Sequence, residues 1–411
     1  MHQEYAHTLK ESTGRRRLPL FLLFLTPYAL VLALMPVLPN VHYMRYMLPV
    51  LSTALIFLVL SVRNIKLQKN VIYSFLKLFL FLIAISFLTF LWHGEIYLRF
   101  FQEAYFILAP LIFMYGLTYL HDDKETGTRD HLHTGAIIIF WGVVLGYLLF
   151  GGQQTVSTIS SIAKDPSRLL LGIITSDIGT EGGAYTFALS FFTIYFFTTK
   201  KKRYFLLSLF LSILAFKRIA LAGIGVSILI YWLLQLKTFH SILNQRNLFP
   251  ATMVGLNLAV IALQFMLSRG IFNSAIQDVT GLPANMVFMG RLNAYNTVLE
   301  TLERVPLLGI GLGKTSQILA EADIGLAHIH SDLLKYFLEF GPVLFCVWIF
   351  AFYRFSMVNS KNLVLMLFLN VLFLTDNVSI YFEIMFLFFF LGYFNYPTKD
   401  APKQETIKLT Y

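Results

Sequence analysis

The sequence predicts an all-α polytopic membrane protein with about 12 transmembrane helices. Of its 411 residues, 57% are hydrophobic and only 13% are charged, whereas a soluble domain is roughly a quarter charged. The apolar residues form long uninterrupted runs, which indicates membrane-spanning helices rather than the alternating strands of a barrel. A long polar stretch between the ninth and tenth runs predicts a large outer loop that contains short helices.

The chain is expected to form one membrane domain over residues 1–411, because no internal repeat or low-complexity segment divides it. A basic tail, residues 1–18, precedes the first apolar run. That run is long and many others follow, so it is interpreted as an uncleaved span and not as a signal peptide. The predicted spans are residues 19–38, 44–62, 70–92, 99–120, 134–150, 184–199, 204–217, 219–236, 249–268, 331–354, 361–375 and 378–395.

The distribution of Lys and Arg predicts the orientation, since basic residues concentrate on the cytoplasmic side of membrane proteins. With a cytoplasmic N-terminus, 20 of the 32 basic residues lie inside. Both tails, residues 1–18 and 396–411, are then cytoplasmic, and the loops 151–183 and 269–330 face outward. This pattern explains the net charge of +10 without a nucleic-acid partner.

The seventh and eighth spans are unusually short. Residues 204–236 give about 33 residues for two crossings, where two full spans need about 40. Lys217 and Arg218 lie at their junction, on the predicted outer side. Charges at such a depth are costly and mark functional sites. Contact with lipid head groups is the alternative reading of this pair.

The outer loop 269–330 is predicted to carry the site. Residues 291–304 form an amphipathic helix whose apolar stripe includes Tyr295, and Pro306 ends it. The glycines at 309, 311 and 313 do not follow a strand, so they are interpreted as a tight turn and not as a dinucleotide-binding motif. Arg291 is either an ordinary charge of the helix surface or, with other outward cations, part of a phosphate-binding site.

Two further groups of polar residues lie next to predicted outer ends of spans. His328, His330 and Asp332 form an HxHxD pattern, whose spacing does not place the three on one helical face. His330 is therefore read as a single reactive histidine, with a metal site and a helix cap at Ser331 or Asp332 as alternatives. Asp376 lies in a very short turn, where it either caps the turn or orients a cation or a sugar hydroxyl.

Several of these features together resemble the O-antigen ligase and polymerase superfamily. The resemblance rests on a large outer loop before the tenth span, on the turn from Pro306 to Gly311, and on a histidine that leads into the next span. The matching residues are Arg291, Pro306, Leu307, Leu308, Gly309, Ile310, Gly311, His330, Leu334, Glu339 and Gly341. Three features are more similar to the O-antigen polymerases than to the ligases. They are Lys217 and Arg218 after an apolar run, His-Ser-Asp at 330–332 and Thr-Asp-Asn at 375–377.

The resemblance implies a glycosyltransferase of the bacterial inner membrane with its site facing the periplasm. An O-antigen polymerase joins oligosaccharide repeat units linked to undecaprenyl pyrophosphate, which act as donor and acceptor in lipopolysaccharide or related polysaccharide biosynthesis. The donor is already activated, so no cofactor and no metal are expected. The bilayer is a further partner, and a chain-length regulator is a candidate partner.

The same resemblance assigns roles to residues. His330 is expected to act as the base towards the acceptor hydroxyl, and Arg291 and Arg218, helped by Lys217, are expected to bind the diphosphate. Asp376, Asp332 and Tyr295 are candidates for binding a sugar or orienting a catalytic side chain.

Two other functions stay open. One is an O-antigen ligase, which transfers the glycan to lipid A core. The other is a lipid-linked glycan transporter, or flippase, for which repeated halves and midplane charges would be typical. The absence of a visible repeat and the clustering of candidate residues on one side favour the enzyme.

Overall fold

The computed structural model describes residues 21–38, 41–62, 70–93, 98–120, 128–165, 183–215, 217–236, 247–288, 290–302, 305–323, 325 and 328–394. Over these residues the secondary structure is helical, which confirms the predicted all-α class. The predicted tails 1–18 and 396–411 and the second half of the loop 151–183 lie outside the described residues.

The helices of the bundle follow the apolar runs. Each predicted span overlaps one of them. In chain order they are α1 (Phe21–Leu34), α2 (Val41–Val62), α3 (Val71–His93), α4 (Leu98–Leu120), α5 (Thr128–Lys164), α6 (Gly183–Thr198), α7 (Lys202–Leu214), α8 (Arg218–Gln235) and α9 (Leu248–Ser268). After the outer loop come α14 (Asp332–Ser356), α15 (Ser360–Thr375), a 3-10 turn (Val378–Ile380) and α16 (Phe382–Phe394).

Six of the described helices contain a stretch long and apolar enough to cross a membrane. These stretches are Val71–Trp92, Leu98–Thr118, His133–Gly151, Arg218–Gln235, Leu248–Ser268 and Asp332–Ser356. Shorter apolar helices cover Phe21–Leu34, Tyr43–Leu58, Ala184–Thr198, Ser360–Thr375 and Phe382–Tyr393. The described residues therefore contain six candidate membrane-spanning helices, while the count of twelve spans stays a prediction.

The helix α14 is one of the most buried helices of the bundle. It packs against α3, α9 and α15, and many of its side chains are buried. The ring of Phe352 on this helix contacts the rings of Phe75, Phe373 and Phe388. Such edge-to-face and tilted contacts explain where part of the large Phe content is accommodated.

The fold has two distinct ends, defined by contacts between helix termini. At one end, Asn70 donates to Thr118 at 2.9 Å and Asn362 donates to the carbonyl of Gly392 at 2.9 Å. These residues come from predicted cytoplasmic ends of spans. The residues at predicted outer ends meet at the opposite end, as the site contacts below show. Helices that follow each other in the sequence, such as α3 and α4 or α15 and α16, thus run antiparallel.

Where the structure describes the segment between α9 and α14, it contains four short helices. They are α10 (Asn273–Thr280), α11 (Ala284–Val287), α12 (Arg291–Thr301) and α13 (Lys314–Glu321). The predicted apolar stripe of α12 faces inward, because Leu292, Tyr295 and Val298 are buried. In contrast, none of the α10 residues is buried. The helix α12 ends three residues earlier than the predicted boundary at 304.

Candidate active site

The carboxylate of Asp376 is the meeting point of the candidate site. Asp376 follows the last residue of α15 and accepts a hydrogen bond from the backbone N–H of Asn377 at 2.8 Å. Its Oδ2 lies 3.3 Å from Nζ of Lys217, and its Oδ1 lies 3.4 Å from Nδ1 of His330. The turn therefore brings together a cation from the start of α8 and the histidine that precedes α14.

Asp376 is held in its ionised form by these neighbours. Burial alone would raise the pKa of its carboxyl, because the charged form loses solvent. The hydrogen bond from His330, the charge of Lys217 and the N–H of Asn377 outweigh burial and hold the pKa well below its usual range. A permanent negative charge consequently lies beside the His330 ring.

Lys217 and Arg218 differ in their surroundings. The ammonium of Lys217 pairs with Asp376 and also lies over the ring of Phe187, 4.1 Å from its centroid. Arg218 begins α8 and is exposed. The preceding α7 has 13 residues and spans about 20 Å, less than a hydrocarbon layer of about 30 Å. This length agrees with the predicted deep position of the pair.

The helix α12 contributes Arg291 and Tyr295, one turn apart. Nη1 of Arg291 donates to the carbonyl of Thr375 at 2.7 Å, which is one of the last carbonyls of α15. This is the one hydrogen bond of its guanidinium within the described residues, and a guanidinium has five N–H donors. Most donors of Arg291 are therefore available to an anion.

Tyr295 supports the backbone of the histidine. Its hydroxyl donates to the carbonyl of His330 at 3.2 Å. Burial raises the pKa of Tyr295 to about 12, and the charges of Arg291 and Asp376 act in opposite directions on it. The hydroxyl therefore stays protonated and serves as a donor.

His330 is fixed by its backbone while its ring remains accessible. The next residue, Ser331, is the N-cap of α14 and accepts a hydrogen bond from the N–H of Leu334 at 3.2 Å. Gln264 on α9 donates to Ser331 at 3.2 Å and to the carbonyl of Leu374 at 3.3 Å. The His330 side chain is 35% exposed, so one face of the ring can meet a substrate.

Asp332 occupies a different position from the other candidates. It is fully buried, and its two oxygens accept from the N–H and the hydroxyl of Ser379 at 2.8 and 2.6 Å. Its own N–H donates to the carbonyl of Asp376 at 3.2 Å. Asp332 thus orients the turn that carries Asp376.

The side chains of the HxHxD pattern have separate partners. His328 contacts Arg99 Nη2 at 3.0 Å and Ser316 Oγ at 3.1 Å, while His330 faces Asp376 and Asp332 faces Ser379. Within the described residues, no three His, Cys, Asp or Glu side chains are grouped as they would be around a metal ion.

A second polar cluster lies beneath His328. Nζ of Lys335 pairs with Glu103 Oε2 at 2.7 Å, and both side chains are fully buried. Glu339, one turn further along α14, accepts from the hydroxyl of Thr315 at 2.5 Å. Lys335 is not among the candidates predicted from the sequence, although a lysine inside an apolar run is itself a signal of a buried partner.

The glycine turn is docked on a break in α14. Gly341 has φ 77° and ψ 165°, and Pro342 follows it. Proline has no N–H, so the carbonyl of Leu338 lacks its helical donor. The N–H groups of Ile310 and Gly311 donate instead to the carbonyls of Leu338 and Glu339, both at 3.0 Å. The glycine turn therefore lies directly against the bundle.

Asn377, beside Asp376, was not among the candidate site residues predicted from the sequence. It is buried, and neither polar atom of its amide has a protein partner within the described residues. A buried amide normally has hydrogen-bond partners. Asn377 is therefore a further candidate for contact with a water or a substrate.

Comparison with known proteins gives one match. Residues 169–349 match the family model described as O-antigen ligase. Curated proteins and solved structures gave no match. The matched range includes Lys217, Arg218, Arg291 and His330, and it ends within α14. The chain also contains long apolar helices that are candidate membrane spans. The match confirms the resemblance of this protein to the O-antigen ligase and polymerase superfamily, whose members are glycosyl-transferring enzymes.

Proposed function

We propose that the protein polymerises oligosaccharide repeat units linked to undecaprenyl pyrophosphate, at the periplasmic face of the inner membrane. The family match supports glycosyl transfer. The observation that carries the proposal is the contact between His330 and Asp376 beside the partly free cation Arg291. A base and an anion-binding group at one site are what transfer from a sugar diphosphate needs.

The reaction exchanges one bond at the anomeric carbon of the donor glycan. The bond from that carbon to the diphosphate oxygen breaks, and both electrons leave with undecaprenyl pyrophosphate. A hydroxyl oxygen of the acceptor glycan forms the new bond and releases its proton. The site must therefore accept one proton and stabilise the negative charge that grows on the diphosphate.

We assign His330 the role of accepting this proton. When its Nδ1–H points to Asp376, its Nε2 carries a free lone pair for the acceptor hydroxyl. After proton transfer, the negative charge of Asp376 stabilises the imidazolium. The 3.4 Å separation is long for a hydrogen bond, and such contacts commonly tighten when substrate binds.

Arg291 is the main group proposed for the diphosphate. Its planar guanidinium can hold two phosphate oxygens at once, and the carbonyl of Thr375 fixes its direction. Arg218 is exposed next to the site and adds a second cation. Lys217 contributes less to the diphosphate, because Asp376 already neutralises its charge.

The decisive experiment compares two alanine variants of the purified protein with a lipid-linked repeat unit. His330→Ala should lose about 10²–10⁴ in turnover while binding of the donor stays nearly intact. Arg291→Ala should weaken donor binding as well as turnover, because it removes a charge-stabilising donor. Arg269→Ala is the matched control, since Arg269 is an exposed cation at the end of α9. Normal turnover in His330→Ala would refute its role as the base.

Arg218 has its own test. Arg218→Ala should abolish polymer without changing the amount of protein in the membrane. Arg218→Lys should restore part of the activity, because a point charge replaces a planar fork. Full activity of the alanine variant would reduce this residue to a lipid contact.

The ligase is the second candidate, because the matching family model is described as O-antigen ligase. The two differ in the acceptor and not in the chemistry at the donor. The glycans of a deletion strain separate them. Core with one repeat unit is expected for a polymerase, bare core for a ligase, and repeat units trapped inside for a flippase. A chain-length regulator is proposed as a partner only for the polymerase.

A further inference from the structure

A groove lies at the end of the bundle opposite the candidate site. It has a volume of about 510 Å³ and lies between the start of α3 and the end of α14. Its walls are mainly apolar and include Val71, Phe75 and Leu78 on α3 and Phe350 and Phe355 on α14. This volume is in the range of small-molecule sites, about 300–1,000 Å³.

The groove opens on a surface that is itself apolar. Along α3, Leu80, Phe81 and Leu88 are about half exposed or more, and the apolar stretch of this helix is long enough to span a membrane. Side chains on this surface face hydrocarbon when the helix lies in a bilayer. In a bilayer, lipid acyl chains would therefore lie against these exposed side chains of α3.

Arg354 supplies a positive charge at the groove. It lies in the last turn of α14 and is exposed. Among the described residues, none forms a hydrogen bond or ion pair with its guanidinium, and none of those that line the groove carries a carboxylate. The C-terminal end of a helix favours a cation, but that effect explains neither the apolar groove beside Arg354 nor the missing counter-ion.

A second cation, Lys77, lies on α3 outside the groove lining. It lies one turn after Ser74, which lines the groove. Its ammonium lies over the ring of Tyr73, 4.9 Å from the centroid, and Tyr73 is one turn nearer the start of α3. The lysine thus extends towards the same end of the bundle as Arg354, as snorkelling lysines do. An apolar groove with the cation Arg354 at its rim matches the shape and charge of one kind of lipid.

We propose that this groove binds an anionic phospholipid, with an acyl chain between α3 and α14 and the phosphate on Arg354. Basic pockets between transmembrane helices bind such head groups. The site is separate from the candidate active site, so the proposal holds whichever glycan the protein transfers.

The test measures which lipids stay bound. The full-length protein is reconstituted into vesicles of equal parts phosphatidylglycerol and phosphatidylcholine, extracted in mild detergent and analysed by native mass spectrometry. The parent protein should retain phosphatidylglycerol in preference to phosphatidylcholine. Arg354→Gln should lower that retention at least about fivefold, the effect of one basic residue at a membrane surface. Ala351→Trp should lower it too, because it fills the groove and keeps the charge.

Arg203→Gln is the matched control. Arg203 is an exposed cation in the first turn of α7, at the same end of the bundle but outside the groove. It should retain phosphatidylglycerol like the parent, and all variants should elute as single species in size exclusion. Ser74→Phe replaces Ala351→Trp if the tryptophan variant does not fold. Equal losses in Arg354→Gln and Arg203→Gln, or equal retention of the two lipids by the parent, would overturn the proposal.

Discussion

The ring of His328 is held neutral in the folded protein. Burial is the largest cause, and the nearby cations Lys335 and Arg99 add to it, so that its pKa falls to about 4. An unfolded histidine titrates near 6.5. Between these values the unfolded chain binds a proton that the folded chain does not, so stability falls as pH drops from about 6.5 to 4.

His328→Gln should reduce this dependence. We expect the thermal midpoint of the purified parent to fall between pH 7 and pH 5, and that of the variant to fall less, because glutamine does not titrate. The comparison is made in one detergent at constant ionic strength. Equal pH dependence of the two proteins would show that other groups determine acid stability.

Individual residues were predictable where polar side chains interrupt apolar sequence near the ends of spans. His330, Arg291, Lys217 and Asp376 all lie at such points, and the fold brings them to one turn. The partner of Lys335 was not predictable, because Glu103 is 232 residues away along the chain. The HxHxD pattern misleads for the same reason, since each of its side chains binds a residue far away in sequence.

The buried ion pair between Lys335 and Glu103 joins α14 to α4. Removing one partner leaves an unpaired buried charge, which typically costs about 3–5 kcal/mol, while replacing both with apolar residues is often neutral. Lys335→Met and Glu103→Leu should each lower the thermal midpoint strongly, and the double variant should recover most of it. In the variants without Glu103, Arg99 loses its ion pair with that residue, but its side chain is partly exposed to solvent. A double variant as unstable as the two single ones would contradict this view of the pair.

The contact between the glycine turn and α14 leaves no room for a side chain at Gly309. A Cβ on Gly309 would collide with the backbone of Glu339, whereas a Cβ on Gly281 meets nothing within 4 Å. Both glycines have positive φ, 78° and 71°, so alanine has a similar conformational cost at each, about 1–2 kcal/mol. Gly309→Ala should therefore lower the thermal midpoint and the turnover more than Gly281→Ala. Equal effects would mean that the turn tolerates displacement.

Element boundaries were less predictable than element types. The helix α5 continues to Lys164, although a polar loop was expected from Gly151. Glycine inside a helix costs only about 1 kcal/mol relative to alanine, so two glycines do not end a helix by themselves. The drop in hydrophobicity at 151 marks the end of the apolar stretch and not the end of the helix.

At the scale of the whole molecule, the orientation is open to a direct test. Cys346 is the single cysteine, so its replacement by alanine gives a background without thiols. A cysteine near Gln317, at the exposed Glu321, should react with an impermeant thiol reagent in intact spheroplasts, and one at Lys201 should not. Both positions should react after lysis. The reverse labelling would overturn the orientation and the periplasmic site.

The general architecture was predictable because apolar runs dictate helices in a membrane. The order and type of the bundle helices follow from the runs alone. The packing of the helices cannot be read from these runs. Nearly all of the helices are apolar on several faces, so the sequence does not indicate which face contacts each neighbouring helix. Polar contacts such as Gln264 to Ser331 select the arrangement at the outer end, and these depend on three-dimensional placement.

The break at Gly341 and Pro342 also governs hydrogen exchange. By chain position, the amide protons of Ile310 and Gly311 belong to a loop, but their acceptors are carbonyls of α14. Opening the Ile310 bond would leave the buried carbonyl of Leu338 without a donor, at about 1–3 kcal/mol. In deuterated solvent the amide protons of Ile310 and Gly311 should therefore exchange at the slow rate of α14. The amide protons of α10, which has no buried residue, should exchange at the fast rate of an open loop. The segment between α9 and α14 thus has backbone hydrogen bonds of two different lifetimes. The long-lived ones mark the part that is fixed to the helix bundle, and the short-lived ones mark the part that is free to move.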